Sequence, residues 1–174
     1  MSKAISNPAL SDIEEHSGVS ATFTIEPLYA GYGNTLGNSL RRVLLSSIRG
    51  GAIVAFRIEG ASHEFTTVKG VKEDVVDIML NLKNVRVKVH TDDPIELRLE
   101  KKGAGVILAS DIKTTADVEI VNPKQVIATI DDPKASVVID LVVESGRGYR
   151  TIDESSQKRV HSDRFALDAV VTSV

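Results

Sequence analysis

The residues that could do chemistry fall into a few groups, and their spacing decides what each can do. Gly31-Tyr32-Gly33-Asn34-Thr35-Leu36-Gly37 runs straight into an apolar-periodic stretch. A glycine-rich turn that opens a helix can hold a phosphate on exposed backbone N–H groups. The dinucleotide fingerprint would need glycine where Leu36 stands, and the Gly-Lys-Ser/Thr ending of a P-loop is absent. The glycines therefore read as a tight strand-to-helix turn. His16, His63, His90 and His161 are scattered, with neither the spacing of a zinc-binding His-Glu-x-x-His nor a Gly-x-Ser-x-Gly nucleophile turn. His63-Glu64 is the one adjacent pair, and neighbours on a strand point to opposite faces. Asp92-Asp93 and Asp131-Asp132 each precede a proline, Pro94 or Pro133, which marks a turn and not a cation loop. Gly146-Arg147-Gly148-Tyr149-Arg150 offers arginines beside an aromatic ring, as in RNA-binding patches, but a single such unit reads better as a loop between two strands.

Arg41-Arg42 is the strongest candidate. Adjacent residues lie about 100° apart around a helix, so at least one guanidinium projects from the core edge. Leu45 stands off the main apolar stripe beside them. An apolar spot rimmed by arginine suits a protein interface.

The elements that must carry these residues follow from periodicity. Residues 1–20 read as an extended polar lead-in. Residues 21–27 alternate, with Phe23 and Ile25 on one half-buried face. A helix is predicted over about 35–48, capped by Asn34 or Thr35 and stopped by Gly50 and Gly51. Leu36, Leu40, Val43, Leu44 and Ile48 form its apolar stripe, read as the core-facing side. A charge at Leu40 is therefore expected to unfold the domain. Residues 53–59 read as a strand with Val54, Phe56 and Ile58 on one face. A second helix is predicted over 70–83, with Val71, Val75, Ile78, Met79 and Leu82 as its stripe and Glu73 and Asp74 in its first turn, where the helix dipole favours negative charge. Beyond Val85 come strands near 85–89, 95–99, 118–121, 126–130 and 137–143, with a turn over 101–105. Residues 146–164 read as an irregular loop and 166–171 as a final strand. Few helices and many short strands indicate an α+β protein.

Bulk composition narrows the function. The chain has 174 residues, no cysteine and a net charge of −3. Disulfides and cysteine metal sites are excluded. A protein gripping nucleic acid through its phosphates usually carries positive excess, so strong direct DNA binding is disfavoured. No apolar run approaches the roughly 20 residues of a membrane span.

The segment Gly31-Tyr-Gly-Asn-Thr-Leu-Gly-Asn-Ser-Leu-Arg-Arg-Val-Leu-Leu-Ser-Ser47 resembles the signature helix of the bacterial RNA polymerase alpha subunit, in its N-terminal domain. Residues 7–28, 63–83, 117–130 and 146–150 are similar to further segments of that family in the expected order, so the likeness covers roughly residues 7–174. It implies a platform, or dimerisation, domain interrupted by an inserted, mostly antiparallel β-rich α+β domain. On this chain the first half of the platform maps to 1–50, the insert to 51–165 and the return to 166–174. The family continues past this point with strands and a long apolar helix, so the platform is expected to be incomplete here, as in a C-terminally truncated chain. The implied role is a non-catalytic assembly subunit of a nucleotidyltransferase, DNA-directed RNA polymerase. It would scaffold alpha dimer formation and recruit the beta and beta-prime subunits in the cytoplasm, with no cofactor, metal or catalytic residue of its own. By residue match, Leu36, Asn38, Arg41, Arg42, Leu45 and Ser46 are implied for the beta subunit or dimer interface, with Arg42 foremost. Thr66, Lys69, Glu73 and Asp74 are implied on a second segment facing beta. The alternatives are a small nucleotide-binding enzyme, which would reveal itself by nucleotide-dependent stabilisation, and a free-standing nucleic-acid-binding module, revealed by salt-sensitive DNA affinity.

Overall fold

The computed structural model describes residues 7–17, 20–151, 164–166 and 169–170. The chain divides into two compact units, Met1–Val43 and Leu44–Val174.

In the first unit, β1 (Ala9–Ser17) and β2 (Ser20–Glu26) form an antiparallel hairpin, in register from Ala9↔Glu26 to Ser17↔Ser20. The expected lead-in is thus a paired strand. Its apolar residues do not alternate, so its identity comes from backbone pairing and not from its side chains. Phe23 is 60% exposed, well short of the expected burial.

Helix α1 (Tyr32–Ser46) starts three residues earlier than its periodicity predicts. Gly31 has φ +84°, which lets the chain turn directly into the helix, and the Tyr32 N–H donates to the Tyr29 carbonyl at 3.0 Å. Asn34 and Thr35 consequently lie inside the first turn and not at the position before the helix. At the other end Gly50 and Gly51 belong to β3 (Arg49–Ile58). A Cβ on Gly51 would stand 2.5 Å from Val89 Cγ2, so glycine is needed there for close approach between strands and not as a helix stop. Ile48 falls beyond the helix. No residue of α1 is buried, so the stripe read as core-facing is corrected: Leu40 is 43% exposed and Val43 and Leu44 are 54% exposed each.

The second unit is built on a seven-stranded sheet in the order β7-β5-β10-β3-β4-β8, with β12 also paired to β3. Its strands are β4 (Val87–Val89), β5 (Ile95–Lys102), β7 (Ile112–Lys113), β8 (Val118–Ile120), β10 (Ser136–Arg147) and β12 (Phe165–Ala166), together with β3. All its pairings are antiparallel. Strand β10 is the spine, matching β5 from Ser136↔Lys102 to Val143↔Ile95 and β3 from Ile139↔Ile58 to Arg147↔Arg49. Val137, Ile139, Leu141 and Val143 alternate along it into the core, as a half-buried strand requires. Opposite them lie Val75, Ile78 and Leu82 of α2 (Val75–Lys83) and Ile107, Ile127 and Ile130 of a ribbon made by β6 (Gly105–Leu108) and β9 (Val126–Ile130). Burying each such side chain is worth about 1.5–3 kcal/mol. On the outer face Asp140 accepts from Arg57 at 2.8 Å and Arg98 at 3.1 Å. Exposed pairs of this kind contribute about 0–1 kcal/mol, so the aliphatic layer holds the sheet.

Four expectations are corrected here. Strand β3 carries a bulge: Val142 faces Ala55 and Val143 faces Ile53, leaving Val54 as the extra residue. Ile53 therefore joins Phe56 and Ile58 in the main core, while Val54 packs with Ala55 and Val142 in a separate cluster. The second helix begins at Val75 and not at 70, because residues 70–73 pair with β9. Gly70, at φ +78°, accepts the Asp131 N–H at 3.0 Å, and the Lys72 N–H donates to the Thr129 carbonyl at 3.0 Å. Between β5 and β9 the turn over 101–105 shrinks, since Lys101 and Lys102 continue β5, and β6, a short 3-10 turn and β7 follow, none of them anticipated. Strand β10 runs on to Arg147, and β11 (Tyr149–Arg150), within the expected loop, pairs with β13 (Ala169–Val170), within the expected terminal strand. Residues 152–163, within the expected loop, and Val171 lie outside the described residues, as does His161.

Candidate interaction surface

On α1 all the predicted residues but one are exposed. Leu36 is half-buried; Asn38, Arg41, Arg42, Leu45 and Ser46 are exposed. Ser39 donates from its hydroxyl to the Thr35 carbonyl at 2.8 Å, a bond within the helix that leaves its outer surface unaltered. Ser46 and Ser47 pair through their hydroxyls at 3.2 Å. Leu36, Leu40, Val43 and Leu44 recur at i, i+4, i+7 and i+8, so they share one side of the cylinder. Each exposed aliphatic leaves transfer free energy uncollected, about 25 cal/mol per Å² of apolar surface. At about 100° per residue Arg41 and Arg42 lie off that stripe, so the helix exposes an apolar side and, apart from it, two arginines.

The second segment, residues 66–74, is held firmly. The Val75 N–H donates to the Thr66 carbonyl at 3.2 Å, and Thr67 bridges to Asp74. The Thr66 hydroxyl lies 3.0 Å from His63 Nδ1. The expectation for Glu73 and Asp74 as first-turn acids is corrected in detail. Asp74 is the N-cap, with Oδ1 accepting the Asp77 N–H at 2.7 Å, and Glu73 precedes the helix and accepts the Thr129 N–H at 2.7 Å. Thr66, Glu73 and Asp74 are therefore half-buried and engaged in shaping the segment, while Lys69 is exposed.

The remaining candidates lose their chemistry to structure. His63 lies in a bend, not on a strand, and serves Thr66. Asp92 pairs with Arg49, the Asp93 N–H donates to Thr91 Oγ1 at 3.0 Å, and Asp132 Oδ1 accepts the Lys134 N–H at 2.9 Å, so both aspartate pairs shape turns. Among the described residues no group of three ligating side chains gathers for a metal, and no helix is long and apolar enough to cross a membrane. A cleft of about 610 Å³ lies beside the sheet's outer face, lined by Arg57, Glu59, Ser62, Arg98 and Asp140 among others. Its two cations face two carboxylates, with Asp140 already shared between both arginines, so the charges specify no ligand of one sign.

Two features escaped the sequence reading. Asp140 interrupts the apolar run Val137–Val143, and that interruption was the available signal for its outward face and arginine partners. Phe65, an aromatic ring amid the polar His63-Glu64 and Thr66-Thr67, was the other.

The described residues, mostly antiparallel strands with two α-helices, make a mixed α+β protein. The chain belongs to the RNA polymerase Rpb3/RpoA insert domain family, whose profile matches residues 54–172. Among curated relatives, the DNA-directed RNA polymerase subunit alpha of Roseiflexus sp. (strain RS-1) is 49% identical over 152 residues, covering 87% of this chain and 46% of the relative. That of Desulfitobacterium hafniense (strain DSM 10664 / DCB-2) is 51% identical over 154 residues, covering 88% and 49%. That of Leifsonia xyli subsp. xyli (strain CTCB07) is 46% identical over 167 residues, covering 96% and 50%. The chain spans about half the length of these relatives, and the resemblance to the alpha subunit is thereby borne out.

Proposed function

We propose that this chain is a non-catalytic assembly subunit of bacterial DNA-directed RNA polymerase. It acts in the cytoplasm as a scaffold on which a second alpha subunit and the beta and beta-prime subunits meet. Nucleotidyl transfer takes place on the larger subunits, and this chain brings neither cofactor nor metal to it. Residues 1–50 belong to the platform that forms the alpha dimer, 51–165 form the insert, and 166–174 begin the return to the platform. The reading is carried by one observation: α1, whose sequence resembles the alpha-subunit signature helix, keeps Leu40, Val43, Leu44, Leu45, Arg41 and Arg42 exposed. Apolar area of that kind is what association removes from water. Residues 66–74 supply a second surface toward beta, with Lys69 at its exposed edge. The net charge of −3 argues against strong direct DNA binding.

The test is assembly. Purified chain is mixed with beta and then beta-prime, and complexes are resolved by size exclusion, with self-association followed by sedimentation velocity. Co-elution with beta and a concentration-dependent shift to dimer are expected. A chain that stays monomeric and never retains beta would refute the proposal.

A further inference from the structure

We infer that the Lys101–Asp111 ion pair is an edge guard: it occupies the outer side of β6 and keeps a second copy of this chain from adding the same strand there. The segment Ala104-Gly-Val-Ile-Leu-Ala109 carries no charge and no proline and is rich in branched aliphatics. At a sheet edge such a segment is a template for pairing between copies. Strand β6 is at an edge, because it belongs to a two-stranded sheet whose other member is β9. The outer side of β9 is already taken. Thr129 donates its N–H to Glu73 and accepts the Lys72 N–H at its carbonyl, and the Ile127 carbonyl accepts from the Asn81 side chain at 2.9 Å. Opposite residues of an antiparallel pair either exchange hydrogen bonds or both turn away from one another. Val106 stands opposite Thr129, so its backbone groups face away from the ribbon. The ion pair sits on that side. Lys101 Nζ donates to the Val106 carbonyl at 2.7 Å and to Asp111 Oδ2 at 2.7 Å, and the same Oδ2 accepts the Leu108 N–H at 2.8 Å. The pair thus fills one acceptor and one donor that an incoming strand would need. It also brackets the apolar segment in sequence, a charge on either side, as gatekeeper residues do. Val106 and Val126 stay exposed on the same ribbon, so apolar area is present to drive association once the guard is removed.

The experiment follows the full chain at neutral pH by light scattering and thioflavin T fluorescence, with a circular dichroism melt for each variant. Thioflavin reports strand pairing and is blind to dimers held by helices. Lys101→Ala removes the cation of the guard and Lys101→Arg keeps it. Lys101→Ala should shorten the lag before both signals by about tenfold, while Lys101→Arg should behave as the parent does. Val106→Glu added to Lys101→Ala sets a charge on the exposed side of β6 that cannot replace Lys101 at Asp111. The double variant should return to the lag of the parent, with a melting temperature no higher than that of Lys101→Ala. A parent-like lag for Lys101→Ala would overturn the edge guard. So would a double variant that associates as fast as Lys101→Ala, since the association would then come from general unfolding and not from pairing at β6.

Discussion

Phe165 of β12 stacks on Phe56 of β3, with ring centroids 5.2 Å apart and planes inclined at 47°. Phe56 is fully buried and Phe165 half-buried against the same core, in direct cross-strand register. Offset or tilted aromatic pairs add about 0.5–1.5 kcal/mol beyond their area. Phe165→Ala should therefore destabilise the second unit by about 2–3 kcal/mol, less than the 3–5 kcal/mol of a fully buried phenylalanine. Phe165→Leu should cost under half as much. Urea unfolding of the two variants tests the order; equal losses would mean that the ring stacking contributes nothing.

A second prediction concerns acid. The Asp111 carboxylate accepts from Lys101 Nζ at 2.7 Å and from the Leu108 N–H at 2.8 Å, pinning the 3-10 turn Ala109–Asp111 that links β6 to β7. Partial burial pushes its pKa up, but the Leu108 N–H and the Lys101 ammonium together outweigh that and hold it below the ordinary value of 3.8. A lowered carboxyl pKa in the folded state means that its stabilisation is complete above 3.8 and is lost as pH falls through the lower, folded value. Asp111→Asn should cost about 1–3 kcal/mol at pH 7. The gap between parent and variant melting temperatures should then close as the pH falls from 3.8 through the lower, folded value and the carboxyl becomes neutral. A gap of constant size across that range would show that the charge of Asp111 is immaterial.

Gly70 yields a third. Its φ of +78° is costly for any other L-residue, and its Cβ position is occupied by Ala135 at 2.6 Å and Asp132 Cβ at 3.1 Å. Both neighbours lie in the turn after β9, and the Gly70 carbonyl accepts the Asp131 N–H. Gly70→Ala should lower stability by about 2–4 kcal/mol, combining backbone strain with overpacking. Gly60, also at positive φ but with nothing near its Cβ position, serves as the control, and Gly60→Ala should cost only about 1 kcal/mol. Equal losses at the two sites would remove the crowding argument.

These residues also show how far sequence alone reaches. The apolar stripe of α2 was legible, because Val75, Ile78 and Leu82 obey helical spacing and are fully buried. Its first turn was not, since the backbone groups of residues 70–72 find partners on β9, a non-local competition that periodicity cannot register. The strand over 137–143 was legible as an apolar run but its core face was not, and the bulge at Val54 moved Ile53 into the main core by shifting the register between two strands. Helix α1 was legible as an amphipathic helix bearing two arginines, but amphipathicity says only that one side is apolar. Whether that side is covered by its own chain depends on what packs against it, and here it is exposed. Phe65 was passed over because a lone aromatic in a polar loop carries no period; its 78% exposure shows only in the structure.

The exposed stripe reverses the expectation for Leu40. Leu40→Asp places a charge where 43% of the side chain already meets water, so desolvation of that charge is slight. Its melting temperature should stay within the range of a surface substitution, about 0.5–1 kcal/mol. Its effect should appear in association, since a carboxylate set into an apolar contact between copies would be desolvated without a partner, at about 3–5 kcal/mol or more than a hundredfold in the dimer constant. Arg42→Ala should weaken capture of beta by about tenfold. Sedimentation velocity reads the first variant and a pull-down on immobilised beta the second. If Leu40→Asp unfolds the chain, its stripe is covered in solution and the docking face is misassigned. If Arg42→Ala binds beta like the parent, the arginine pair belongs to a solvated helix surface.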